Sequence, residues 1–157
     1  MTETISTIDR NATISLREIT EETLVSILKL KVAPEQEQFV ASNAVSIAQA
    51  HFSKHAWFRA IYADETPVGF VMLHDEPAKP EYYLWRYMID ARYQRLGFGR
   101  QALQLIIDHV KTRPNATELL LSYVPQEGGP QPFYERLGFT HTGRIVDDEV
   151  EMRIAVC

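Results

Sequence analysis

The sequence predicts one α/β (α+β) domain over residues 1–157, and three observations carry that prediction. A strand-like run from Tyr82 to Ile89 passes through Gln94-Arg95-Leu96-Gly97-Phe98-Gly99-Arg100 into a helical repeat of Ala102, Leu103, Ile106, Ile107 and Val110. A second run, Glu118–Val124, passes through a Pro- and Gly-rich turn into Phe133-Tyr134-Glu135-Arg136-Leu137-Gly138-Phe139. Residues near both ends of the chain alternate apolar and polar in strand fashion. A chain of 157 residues can bury one real core but not two.

The elements follow in order. Residues 1–11 are polar and read as loose. Ile14 to Ile19 alternates as a first strand, and Thr20-Glu21-Glu22-Thr23 reads as an N-cap with acidic residues in the first turn. Leu24, Ile27, Leu28 and Leu30 give one helical face. Pro34 to Gln38 opens a second helical region that breaks near Ser42-Asn43, and Ala44 to Phe52 forms a further short helix. Trp57–Ala63 and Val68–Leu73 flank Asp64-Glu65-Thr66-Pro67, which is hairpin chemistry. Asp75–Pro80 turns into the Tyr82–Ile89 strand, and Pro114 closes the helix that follows the glycine turn. Pro130 and Pro132 suit a first helical turn, and Gly138 suits a left-handed residue after a short helix. Phe139–Gly143 and Glu149–Val156 read as closing strands, giving the order β-α-α-β-β-β-α-β-α-β-β.

A strand that runs into a glycine turn and then a helix aims unpaired backbone N–H groups, and the positive end of the helix dipole, at whatever lies above. Gly97 and Gly99 lack a Cβ, so a phosphate can approach the main chain, and Arg95 and Arg100 add positive charge. A dinucleotide fingerprint would meet Ala102 in its third glycine slot and would sit near the start of the chain. A Walker A loop would need Gly-Lys-Ser/Thr after the turn, which the sequence lacks.

The order Gln-x-x-Gly-x-Gly at Gln94–Gly99 instead resembles the acyl-CoA pyrophosphate loop of the Gcn5-related N-acetyltransferase (GNAT) superfamily. The Phe133–Phe139 block resembles the superfamily's Phe/Leu-Tyr-x-x-x-Gly-Phe segment, in the family's order and at roughly its spacing. The resemblance implies a mixed, mostly antiparallel central sheet flanked by helices, with splayed central strands. It implies acetyl-CoA as cosubstrate, held by Met88, Ile89, Gln94, Arg95, Leu96, Gly97, Phe98, Gly99 and Arg100, with the backbone near Met88 and Ile89 pairing to the pantetheine arm. It places Tyr134 at the sulfur of coenzyme A. Acetyl transfer from a thioester to an amine expels a thiolate, and a nearby phenol can hydrogen-bond or protonate it, so Tyr134 is the expected general acid.

The acceptor is less defined. Some members carry a glutamate base on the strand before the loop, but that position is Tyr83 here, and Glu81 would have to act through water. Glu127 and Pro130 also depart from the family's usual Asn and Ala. The segments Leu84–Asp90 and Val124–Tyr134 resemble bacterial diamine/spermidine-spermine N-acetyltransferases. A polyamine acceptor would meet Glu35, Glu37, Glu76 and Glu81, along with Trp85 and other aromatic faces at Trp57, Tyr82 and Tyr83, for its ammonium groups. Asp75 is a further carboxylate at the turn. Another small-molecule amine, an aminoglycoside, an amino acid or a protein N-terminus is the alternative acceptor, and a non-catalytic acyl-CoA-binding module is the alternative class.

Composition excludes several other partners. A net charge of −5 argues against a general nucleic-acid binder and suits cationic substrates weakly. No stretch approaches a membrane span, and Met-Thr-Glu-Thr-Ile-Ser lacks the features of a signal peptide, so a cytoplasmic protein is expected. The single cysteine, Cys157, allows no intrachain disulfide and suits a reducing compartment. His51 and His55 are four apart without a third ligand, and His74, His109 and His141 are isolated in sequence, so no metal is expected. A homodimer is the expected assembly.

Overall fold

A computed structural model describes residues 8–157. Of the stretch expected to be loose, residues 1–7 lie outside the described residues. Asp9 closes a turn over the remainder, accepting from the amides of Asn11 at 2.9 Å and Ala12 at 3.1 Å. Seven strands follow: β1 (Ile14–Arg17), β2 (Ala56–Ala63), β3 (Thr66–Glu76), β4 (Glu81–Ile89), β5 (Glu118–Tyr123), β6 (Thr140–Val146) and β7 (Glu149–Ala155). The helices are α1 (Leu24–Leu28), α2 (Asn43–His51), α3 (Phe98–Lys111) and α4 (Gln131–Arg136), with 3-10 turns at Pro34–Phe39 and Ala91–Tyr93. The element order is the one the sequence predicts.

The strands form one open sheet in the order β1-β2-β3-β4-β5-β7-β6. Every pairing is antiparallel except β4 with β5. Alternation along β3 assigns its two faces. Val71 and Leu73 pack with Ala102, Leu103, Ile106 and Val110 of α3. Phe70 and Met72 pack with Ile27, Leu30 and Ala50 on the α1–α2 side. The apolar stripe of α3 is thus buried, and truncating Leu103 to Ala removes contacts worth about 2–5 kcal/mol.

One cap differs from expectation. Residues 20–23 make a turn of their own, with the Leu24 amide bonded to the Thr20 carbonyl at 2.9 Å. The Thr23 hydroxyl accepts from the Thr20 amide at 2.9 Å and is therefore used before the helix begins. Thr23 occupies the N-cap position without a side-chain cap, and Glu21 and Glu22 precede the helix. Ser42 does cap α2, accepting from the Val45 amide at 3.2 Å. Among the described residues, no helix is long and apolar enough to cross a membrane.

Candidate active site

The parallel strands at the sheet centre share only two register pairs, Tyr83 with Leu120 and Leu84 with Leu121. Directly after them β4 carries a bulge at Trp85, since Leu84 faces Leu73 while Arg86 faces Met72. A bulge bends the strand that carries it. From Trp85 to Ile89 the β4 edge leaves β5, and a cleft of about 1260 Å³ opens between them. Met88 and Ile89 line it. The splay expected from the resemblance is present.

The β4–α3 turn forms one wall. Gly97 is the N-cap of α3 at φ +83°, a left-handed conformation that favours glycine. The Gln101 amide is the one that bonds back to the Gly97 carbonyl, at 3.2 Å, so the first-turn N–H groups of the helix remain available to a ligand. Gly99 has a packing reason beside the ligand one. A Cβ there would stand 3.3 Å from Phe133 Cζ and 3.4 Å from the Tyr87 hydroxyl, which itself donates to the Gly99 carbonyl.

Gln94, Arg95, Gly97, Gly99 and Arg100 line the cleft. Leu96 and Phe98 contribute differently from the expectation. Both pack with the α3 core, Phe98 fully buried, so their backbones alone can meet an anion. The Gln94 side chain is committed internally: its Nε2 donates to the Ile89 carbonyl and to Gln36 Oε1, both at 2.8 Å. It thereby ties the turn to the Pro34–Phe39 segment.

Tyr134 enters from α4, whose first turn holds Pro132 and whose exit residue Gly138 has φ +102°. Its ring packs against Phe133 and Phe139, and it lines the cleft while only 8% exposed. Burial raises its pKa well above the ordinary phenol value. Among the described residues its hydroxyl has no hydrogen-bond partner. The site therefore offers a protonated phenol with a free O–H.

The acidic residues expected around the acceptor divide. Glu37 and Trp85 line the cleft; Glu35, Glu76 and Glu81 are not among the residues that do. Glu76 is held by His74 and His55 at the far end of β3. Asp75 pairs with Arg113 at 2.9 Å. Two aromatic faces expected to be free are occupied or buried. Trp57 is stacked on His109 at 4.2 Å with Arg59 on its ring at 4.5 Å, and Tyr82 is buried with its hydroxyl bonded to the Pro114 carbonyl.

The other wall is built by β4, β5 and the β6–β7 turn into β7, and its acidic residues Asp147 and Glu149 were not expected from the sequence. Tyr83, Ser122, Asp147 and Glu149 line the cleft, and the Ser122 hydroxyl donates to Glu149 at 3.2 Å. Behind them the Tyr83 hydroxyl donates to buried Glu151 at 2.5 Å. Glu151 also accepts from Thr142 at 2.9 Å and from Arg144 at 2.6 Å. Burial works to raise the Glu151 pKa, but the hydrogen bonds from Tyr83, Arg144 and Thr142 outweigh it and hold the carboxyl below its usual range. Burial, then the bond to this carboxylate, raises the Tyr83 phenol. The available signal was the strand period, which puts Glu149 and Glu151 on the face opposite Val150 and Met152.

A glycine-capped helix N-terminus, splayed parallel strands and a buried tyrosine on α4 line one cleft. A family model described as the Acetyltransferase (GNAT) family matches residues 15–139, and the chain belongs to that family. It is a GNAT acetyltransferase. Among curated proteins it is 28% identical over 141 residues to the spermine/spermidine N(1)-acetyltransferase of Bacillus subtilis, covering 84% of this chain and 91% of that one. Among solved structures it resembles a spermidine N-acetyltransferase from Vibrio cholerae in complex with CoA and spermine, with a TM-score of 0.71, 17% identity and coverage of 90% and 95%. It also resembles the ribosomal-protein-S18-alanine N-acetyltransferase of Escherichia coli, with a TM-score of 0.68, 17% identity and coverage of 92% and 94%. These structural likenesses show the fold.

Proposed function

We propose that this chain transfers an acetyl group from acetyl-CoA to a primary amine of a small polycation, with a polyamine such as spermidine or spermine as acceptor. The observation that carries the acceptor class is the set of carboxylates in the cleft, Glu37, Asp147 and Glu149, the last beside Arg86, in a space also lined by Trp85 and Tyr83. Carboxylates and an aromatic face suit ammonium groups spaced along a flexible chain. The relationship to a curated spermine/spermidine acetyltransferase supports the same reading.

The pyrophosphate of the cosubstrate sits on the α3 N-terminus beside Arg95 and Arg100, and the pantetheine arm runs along the free β4 edge at Met88 and Ile89. The amine nitrogen attacks the thioester carbonyl carbon, the C–S bond breaks, and the sulfur leaves as a thiolate. Tyr134, with its unpartnered O–H, donates to that thiolate. Tyr83 has its hydrogen committed to Glu151 and presents oxygen lone pairs to the cleft. It therefore accepts a hydrogen bond from the amine N–H and orients the nitrogen, and the proton released on attack leaves to solvent through the open cleft.

The test is an acceptor screen that follows free thiol release from acetyl-CoA with polyamines, aminoglycosides, amino acids and peptides side by side. Highest kcat/KM on spermidine or spermine is the expected result. Turnover confined to another amine would remove the polyamine acceptor, and thiol release with none would leave an acyl-CoA-binding module.

A further inference from the structure

Outside the cleft chemistry, the base of the β3–β4 hairpin gathers two imidazoles and two carboxylates. His74 and Glu76 are two apart on β3 and so share one face of the sheet. Glu81 is the register partner of Glu76 across the hairpin. His55 precedes β2 and is fixed to β3 through the Asp75 amide, which donates to the His55 carbonyl at 2.7 Å. The ligand atoms of His74, Glu76 and Glu81 lie within 4.8 Å of one another. His55 brings its Nε2 to 3.4 Å from Glu76 Oε1, and His74 brings its Nε2 to 3.2 Å from Glu76 Oε2.

We infer that His74, Glu76 and Glu81 form a three-residue site for a first-row divalent transition-metal ion, with zinc the best match to the donor set and His55 at its edge, on the other oxygen of Glu76. Ligands held roughly 2.0–2.1 Å from a tetrahedral ion stand about 3.3 Å apart. The His74–Glu76 hydrogen bond of 3.2 Å already brings one pair to that separation, and Glu81 lies within reach of both. One imidazole with two carboxylates and an open position suits zinc, whereas calcium or magnesium would ask for an all-oxygen set.

The side chains come from three strand positions and one anchored loop, so little reorganisation is needed. Glu76 is mostly buried (14% exposed), while the two histidines are about one-third exposed and leave a path for the ion. Lys79, whose ammonium stands 3.8 Å from Glu76 Oε1, is 67% exposed and free to swing away. His74 also lines the cleft, so a bound ion would tie the β2–β3–β4 corner beside the acceptor wall.

The experiment uses the untagged, chelator-stripped chain, titrated with Zn²⁺ by calorimetry and with Co²⁺ by visible absorption. One equivalent of Zn²⁺ should bind, and Co²⁺ should give the intense bands of a tetrahedral site. His74→Ala and Glu76→Gln should each weaken binding by more than about 100-fold, because even outer partners of a metal ligand are worth roughly 10–100-fold. His51→Ala, on the exposed end of α2, should bind as wild type does. Failure of the wild type to bind either ion, or unchanged binding in both ligand variants, overturns the inference. Should the variants not fold, imidazole nitrogen resonances of the wild type decide. Shifts confined to His55 and His74 on adding Zn²⁺ support the site, and shifts confined to His51, His109 or His141 defeat it.

Discussion

Tyr134 and Tyr83 have opposite hydrogen-bond states, and this separates their roles. The Tyr134 hydroxyl is free among the described residues and kept protonated by burial, whereas the Tyr83 hydrogen is committed to Glu151. Tyr134→Phe should leave acetyl-CoA affinity nearly intact and lower kcat by roughly 10²–10⁴-fold. Stopped-flow or steady-state thiol release checks this, and near-wild-type turnover would remove the donor role. Tyr83→Phe should lower kcat/KM for the amine by about 10²-fold or more while acetyl-CoA binding holds; an unchanged value would reduce the Tyr83–Glu151 bond to packing. Tyr134 was legible because its motif has a fixed order and spacing. Glu149 and Glu151 were not, because their place in the cleft depends on β7 inserting between β5 and β6, a non-local pairing that no local pattern announces.

At the level of elements, the acidic residue that ties the end of β4 to the segment after α1 is Asp90. It is buried at the end of β4, and its carboxylate accepts from the Lys31 amide at 2.9 Å, the Arg92 amide at 3.0 Å and Arg92 Nε at 2.9 Å. Burial alone would raise its pKa, but these bonds prevail and hold it below the usual aspartate value. A depressed native pKa means that the stabilisation is present above the unfolded-state value, about 3.9, and is lost as pH falls through the native one. Asp90→Ala should therefore cost about 1–3 kcal/mol near neutral pH by stranding its donors. The difference from wild type should shrink on acidification below about pH 4, as urea melts across pH would measure; a pH-independent difference would contradict this assignment. Strands and helices were readable from the 2.0 and 3.6 periods and from the Gly and Pro punctuation. The N-cap at Thr20–Thr23 was not, because the Thr23 hydroxyl serves the preceding turn. The aromatic run Tyr82–Trp85 likewise gave the strand but not the partners, which leave Tyr82 in the core and Tyr83 in the cleft.

Across the whole molecule the cleft carries both signs of charge, with Arg95 and Arg100 at the α3 turn, Asp147 and Glu149 at the β6–β7 turn and the start of β7, and Glu37, Arg86 and Arg136 also in its lining. A polycation and a polyanionic cosubstrate thus each find charges of opposite sign in one space. For spermidine, kcat/KM should fall as salt rises, since charges at the surface are screened over about 8–10 Å at moderate ionic strength. Asp147→Asn with Glu149→Gln should raise KM for polyamines more than it lowers kcat, because they hold the remote ammonium; equal polyamine kinetics in that variant would make them solvent-facing charges. Every step proposed for the reaction requires acetyl-CoA in the splay between β4 and β5. The most direct measurement is calorimetric titration of acetyl-CoA into the wild type and into Arg95→Glu/Arg100→Glu, each confirmed as folded. The wild type should bind one equivalent, with a raised melting temperature, and the variant should bind at least about tenfold more weakly. No binding by the wild type, or equal affinity in the two proteins, would contradict that placement.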